Sequence, residues 1–487
     1  MRKSEDQVIR TIGDRLEELA RLAPDRLALV CGEDQLSRAA FAAAVARRAA
    51  VLARQTPQGA GIALAMGNSP ALVAAFFACA VSDRQALVYD PAWPAGYRAA
   101  VDAALSPALT LADETPPQDV LPHPALSPPH PDAPFYVGFT SGSTGLPKGY
   151  RRGHRSWIDS FAVSEQAFGL TADDVILAPG GLSASLHLYG VVHALHIGAA
   201  AVMLRLFHPQ RALEVIARHG VTALYATPTQ LQMLARAAAE QGVALPSVRL
   251  ILISGAKWRP QTRAAVAAAF PHAGIAEFYG ASETSFISLT RPGEAVPPGS
   301  VGRAAPGVDL VIRDAAGRDL PPGTTGTIWV ASAMLFDGYA CGGGEETRRE
   351  HGYLTIGDHG RLDAGGYLTL AGREKRMLVT SGLNVYPEEI EAVLVSAPGI
   401  AEAAVFGLPD PLRGVELVAV LRGPGAGDHA GLRAHCRRLL PAGKLPRRFV
   451  VLDDWPRTAS GKVDLLALEA RIAAGGAAGR GQMLQRS

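Results

Sequence analysis

The chain is short of cysteine, of charge of one sign and of unbroken apolar stretches, and each shortage closes off a class of protein. Its 487 residues hold four cysteines, Cys31, Cys79, Cys341 and Cys436, far apart and with no Cys-x-x-Cys pair. Such spacing makes neither a disulfide framework nor a zinc site, and suits a reducing, cytoplasmic setting. Net charge is only +2 with no large basic run, which leaves no case for nucleic acid as a partner. The opening MRKSEDQVIR is charged and lacks an apolar core behind it, unlike a secretory signal. Two uncharged stretches have the length of a membrane span. Residues 55–82 are broken by Asn68-Ser69-Pro70, and residues 175–204 by Pro179, three histidines and several glycines. Both read as buried strand–loop–helix units, so a membrane is not expected as a partner either.

What is present is a globular composition, 48% hydrophobic and 19% charged, on a chain long enough for about three compact units. Helical spacing at residues 8–22, 38–52 and 70–81 alternates with strand-like runs at 27–31, 61–66 and 86–89. A Pro-rich connector, 116–134, follows; then strands at 175–177, 200–204, 223–226 and 250–253 alternate with helices at 211–219 and 228–241. This rhythm predicts an α/β fold of layered subdomains with largely parallel sheets. After Arg303 the texture turns to short strands, 308–313 and 326–330, which predicts a small β-barrel-like unit. A smaller α+β domain is expected at the C-terminus. Its helix opens at Tyr386-Pro387-Glu388-Glu389, with proline in the first turn and the glutamates at the positive end of the helix dipole. The expected division is 1–372, a hinge at 373–376, a second domain over 377–474, and a disordered tail, 475–487.

The segment YVGFTSGSTGLPKG, residues 136–149, carries the most chemistry. Residues 135–139 read as a short buried strand, and Thr140, Ser141, Gly142, Ser143, Thr144 and Gly145 then fill six positions before Pro147 and Lys148. Glycines let successive backbone N–H groups converge, hydroxyls add donors and the lysine adds charge, a combination that suits phosphate oxygens. The Walker A spacing is absent, so this is a phosphate loop of another kind, with a plain Ser/Gly turn as the competing reading.

Four further polar segments follow in order: FYGASE ending at Glu283, GYLTIGD ending at Asp358, GREK with SGLNVYPEEIE at 372–391, and PRTASGK ending at Lys462. Singly, Asp358 reads as a turn residue, Glu283 as a helix-start carboxylate and Lys462 as a solvated charge. As a set, the five closely resemble the adenylate-forming superfamily: acyl- and aryl-CoA synthetases, adenylation domains of nonribosomal peptide synthetases, and firefly-type luciferases. The resemblance runs from about residue 10 to about residue 470.

That resemblance implies ATP-dependent conversion of a carboxylic acid to an acyl- or aryl-adenylate, then transfer to a thiol. The acceptor would be coenzyme A or, alternatively, the phosphopantetheine of a carrier protein. By the same resemblance, Thr140, Ser141, Gly142, Ser143 and Thr144 with Lys148 hold the outer phosphates. Glu283 is the Mg²⁺ ligand, and Thr284 reaches the α-phosphate. Gly255, Ala256, Tyr279 and Gly280 form the adenine pocket, while Asp358 and Arg373 take the ribose. Lys462 bridges the attacking carboxylate and the α-phosphate. The C-terminal domain is mobile about a hinge at Lys375, and Gly382 lines the tunnel for the thiol arm. A catalytically silent nucleotide-binding regulator is opposed by the joint presence of Lys148, Glu283, Asp358, Arg373 and Lys462. A luciferase-type oxidoreductase has nothing in its favour.

Ser183, His187, Trp258 and Ala281 are the expected acyl-pocket residues. PGGLSASLHLYG, 179–190, has no acidic residue to pair an ammonium, which disfavours an α-amino acid. The histidine that many relatives place here could correspond to His187 or to the position of Ala184, and a packed core histidine is the plainer alternative. Trp258 closes the pocket in one reading and anchors the next helix to the surface in the other.

Overall fold

The computed structural model describes residues 11–115, 128–140, 147–255, 262–344, 346–380, 383–410, 414–457 and 463–478. They form a large N-terminal α/β part and a smaller C-terminal α+β part. By packing, the chain groups into one unit of Met1–Leu310, Val330–Leu354 and Gly366–Leu368 and another of Val311–Trp329, Thr355–Gly365 and Thr369–Ser487.

In the first unit one sheet runs, in spatial order, Ser300–Ala304, Ser285–Leu289, Gly274–Ala281, Leu250–Ile253, Ala223–Ala226, Val175–Ala178, Ala200–Met203, Leu27–Cys31 and Asp34–Ser37. The six strands from Gly274–Ala281 to Leu27–Cys31 are parallel. The Leu250–Ile253 and Ala223–Ala226 strands are wholly buried, as short apolar runs of a two-sided sheet must be. Helices Pro209–His219 and Pro228–Gln241 cover it through Leu213, Ile216, Leu231 and Leu234. A second sheet follows the order Gly338–Cys341, Lys148–Gly153, Pro134–Thr140, Gln85–Val88, Gly61–Leu64 and Leu109–Leu111. The helix Pro70–Val81, capped by the Ser69 hydroxyl and opened by proline, is buried on nearly every side. No helix among the described residues is long and apolar enough to cross a membrane.

One expectation is corrected. The short strands after Arg303 do not close into a barrel-like unit: Asp309–Arg313 pairs with Gly326–Ala331, which pairs antiparallel with Tyr353–Thr355 and Asp358–Leu362 as part of an open sheet. Before them, Ser285–Leu289 and Ser300–Ala304 add antiparallel to the end of the parallel run, because the turn after Ala281 folds the chain straight back along its own strand.

In the second unit Glu402–Asp410 pairs antiparallel with Gly414–Arg422, which pairs parallel with Arg448–Val451. Alternation along the first two strands sends Val405, Leu417, Ala419 and Leu421 to one face, under Ile390, Leu394 and Leu432. Ala404, Phe406, Val418 and Val420 go to the other, under Trp455, Leu468 and Ile472. The last helix is Leu465–Ala478.

Candidate active site

The phosphate-loop segment is built on a hairpin. Pro134–Thr140 pairs with Lys148–Gly153 so that Thr140 and Lys148 are register partners, and the lysine belongs to a strand rather than to the loop. Gly138 lies where two tyrosines converge: a Cβ there would sit 2.1 Å from both the Tyr136 and the Tyr150 hydroxyls. Those hydroxyls bond each other at 2.7 Å. Residues 141–146, which include Ser141, Gly142, Ser143 and Thr144, lie outside the described residues.

Glu283 sits in the turn between the antiparallel strands Gly274–Ala281 and Ser285–Leu289. Thr284 closes that turn, its N–H donating to the Ala281 carbonyl and its hydroxyl accepting from the Ala281 N–H at 3.0 Å. Gly280 is obligatory, since a Cβ would lie 1.7 Å from the Ser285 carbonyl oxygen. Tyr279 precedes it, opposite Ser288. From the neighbouring sheet, Arg152 reaches across. Its guanidinium, buried to 3% exposure, donates to the Ser282 and Met334 carbonyls at 2.9 Å and to the Ser285 hydroxyl at 2.7 Å. Burial lowers its pKa to about 10, so it stays charged at neutral pH. It clamps the Glu283 turn to the Lys148 strand.

Tyr339, on the strand Gly338–Cys341 beside Lys148–Gly153, ties the two motifs together. Its hydroxyl donates to Glu283 Oε1 at 2.9 Å and lies 3.2 Å from the Thr347 hydroxyl. Burial, reinforced by the Glu283 charge, pushes its pKa up, which keeps the phenol a donor. Lys148 Nζ stands 5.6 Å from the centre of the same ring and is paired with Glu346 at 2.5 Å. Glu283 and Thr284 are themselves buried, at 8% and 1% exposure. Segments far apart in sequence thus present the Lys148 ammonium, the Glu283 and Glu346 carboxylates and the Tyr339 and Thr347 hydroxyls in one place. Tyr339, Glu346, Thr347 and Arg152 were not singled out from the sequence. The one signal for the first three is that Gly342-Gly343-Gly344 with Glu346-Thr347 repeats the Gly, hydroxyl and charge composition of the phosphate loop.

In the segment expected to shape the acyl pocket, Asn68 pins residues 180–182. Its amide donates to the Gly180 and Leu204 carbonyls at 2.9 and 2.8 Å and its oxygen accepts from the Leu182 N–H at 2.8 Å. Ser183 is half-buried and Ala184 exposed, while His187 is buried in the first turn of the helix Ser185–Ile197. Ser185 meets Ser282, one residue before Glu283, hydroxyl to hydroxyl at 3.1 Å. Ala281 is half-buried at the end of its strand. Gly255 adopts φ +89°, a conformation open to glycine. Ala256 and Trp258 lie outside the described residues.

In the second unit Asp358 is buried and Arg373 stands 3.1 Å from it. The residues flanking Lys375 are each anchored: the Glu374 N–H donates to the Gly357 carbonyl at 2.8 Å, and Arg376 pairs with Glu388 and Glu391 at 2.8 and 2.6 Å. Gly382 and Lys462 lie outside the described residues.

The sequence matches the family described as AMP-binding enzyme over residues 98–340, and that family's C-terminal domain over 389–462. The acyl–CoA ligase YhfT of Bacillus subtilis strain 168, itself uncharacterized, is 34% identical over 93% of this chain and 96% of its own. A sulfoacetate–CoA ligase of Cupriavidus necator is 34% identical over 70% of this chain and 68% of its own. Among solved structures, the o-succinylbenzoate–CoA synthetase of Bacillus subtilis, bound to its acyl-adenylate, is similar with a TM-score of 0.83 and 26% identity, over 93% of this chain and 97% of its own. The same synthetase with ATP and a magnesium ion also gives 0.83. The chain belongs to the AMP-binding enzyme family. Its chemistry is that of an AMP-forming acid–thiol ligase, which makes an adenylate and then a thioester.

Proposed function

We propose that the protein joins a small carboxylic acid to coenzyme A in the cytoplasm, using ATP and releasing AMP and pyrophosphate. The observation that carries the residue assignments is Tyr339, whose hydroxyl holds Glu283 and whose ring lies against Lys148. Thr140, Ser141, Gly142, Ser143, Thr144 and Lys148 take the outer phosphates, and Thr284 the α-phosphate. Gly255, Ala256, Tyr279 and Gly280 receive the adenine, Asp358 and Arg373 the ribose. Mg²⁺ suits the donor set, because Glu283 is one buried carboxylate and phosphate and water oxygens complete the shell of a hard cation. When bound, the ion offsets charge on the triphosphate and its leaving group. Among the described residues no cluster of three or more His, Cys, Asp or Glu offers an all-protein metal site.

Lys462 delivers its ammonium to the attacking carboxylate, Lys375 is the hinge within 373–376, and Gly382 admits the thiol arm. The Glu374 N–H bond to the Gly357 carbonyl and the Arg376 pairs with Glu388 and Glu391 bracket that hinge position on either side. Acid-dependent pyrophosphate release from ATP and Mg²⁺, followed by thioester formation with coenzyme A or with a carrier-protein phosphopantetheine, tests the reading. Lys462→Ala should abolish release; release at the wild-type rate refutes the lysine's role. A bulky residue at Gly382 should stop thioester formation and spare the adenylate. Thioester on the carrier protein alone replaces coenzyme A as acceptor.

A further inference from the structure

The hydrogen bonds around His187 fix which of its nitrogens carries the proton. Gln230 belongs to a capping box, its Oε1 accepting from the Thr227 N–H at 2.9 Å. A backbone N–H only donates, so the amide oxygen must face it and the Gln230 NH₂ must face the other way. That NH₂ lies 3.3 Å from His187 Nε2. An amide nitrogen only donates, so Nε2 accepts. Burial lowers the histidine pKa to about 4, and the neutral ring therefore carries its hydrogen on Nδ1. Gly180 lets the Nε2 edge lie close, since a Cβ there would sit 2.1 Å from that nitrogen. The residue is 3% exposed, and Nδ1 has no hydrogen-bond partner among the described residues. A buried donor left unmet is costly, so the native state holds it for something.

Its surroundings indicate what. Ser185, two residues earlier and about 3 Å along the helix axis, touches the Glu283 turn through Ser282. On the other side, the Thr227 methyl lies 3.8 Å from where a Cβ on Gly255 would stand. The helix that carries His187 thus meets the Glu283 turn through Ser185, and the helix that carries its partner Gln230 starts at Thr227, close to the segment assigned to the adenine; the acid lies between these segments if the ligase reading holds.

We propose that His187 Nδ1–H is a specificity determinant of the acid site: it donates to an oxygen of the substrate beyond the reacting carboxylate. Because the ring is neutral, the matching group is an uncharged acceptor such as a ketone, ether or amide oxygen; one neutral donor would not offset a buried second anion. The preferred substrates are thus oxygen-bearing acids and not plain alkyl acids of the same length.

The test compares matched acids, one with an oxo group and one with a methylene at the same carbon, by pyrophosphate release. The wild type should favour one such oxo acid by at least about tenfold in kcat/KM. His187→Phe should bring that ratio near one, and so should His187→Gln, whose amide reaches only the Nε2 side. His187→Asn, which keeps a donor where Nδ1 stood, should preserve it. A wild-type ratio near one across the panel, or a ratio that survives in His187→Phe, overturns the proposal. If the phenylalanine variant does not fold, the Asn and Gln pair decides by the same criterion. Failure of the ligase reading looks different: no acid of either kind yields pyrophosphate with the wild type.

Discussion

At the scale of single residues, the site rests on polar groups whose importance depends on distant partners. Lys148 and Glu283 are legible in the sequence because each lies in a compact motif of hydroxyls, glycine and charge. Tyr339 is not, since nothing around it predicts that its hydroxyl will meet a carboxylate from another sheet. Replacing Tyr339 by Phe keeps the ring beside Lys148 and removes only the bond to Glu283 and the contact with Thr347. We expect a loss of roughly tenfold in kcat/KM for ATP, about 1.4 kcal/mol, with little change in thermal midpoint. An unchanged kcat/KM would separate Tyr339 from nucleotide binding. In the phosphate role proposed for it, Lys148→Ala should be more severe, about two to three orders of magnitude in pyrophosphate release. A loss of less than tenfold would remove Lys148 from that role.

At the scale of elements, apolar runs bounded by turn residues came out where the sequence put them, as Ala223–Ala226, Leu250–Ile253 and Pro228–Gln241 show. The strand Lys148–Gly153 was hidden. Its KGYRRG is half cationic, and it lies between partners only because Arg152 spends its charge on carbonyls and hydroxyls of the Glu283 turn. The barrel-like expectation failed for a related reason, since strand length and turn frequency say nothing of which free edge a hairpin will join. Elements of this kind are held by single buried polar side chains. Asn68→Ala removes three hydrogen bonds and leaves the buried Gly180 and Leu204 carbonyls and the Leu182 N–H in search of partners. Denaturant unfolding should register about 2–4 kcal/mol of destabilisation. The KM for the acid should rise as segment 180–182 loosens. A variant as stable as the parent would show that water replaces Asn68 there.

At the scale of the whole molecule, buried histidines set a limit on acid tolerance. His154 and His187 have pKa values pushed down to about 4 by burial, and those of His193 and His196 are lowered for the same first cause. The unfolded chain takes up these protons near pH 6.5 while the folded protein refuses them, so stability is present above that pH and is lost as pH falls towards 4. Each of His154 and His187 forfeits about 2 kcal/mol by pH 5. Thermal midpoints should therefore drop steeply between pH 6.5 and 5, and a flat profile there would contradict the buried neutral state. The hairpin that pairs Thr140 with Lys148 has a wider consequence. Register fixes the Lys148 backbone in the ladder, apart from the peptide that joins the two strands. If 141–146 hold an anion as proposed, exchanging them for another linker would change which anion is taken while the lysine keeps its place, a modular joint open to protein engineering.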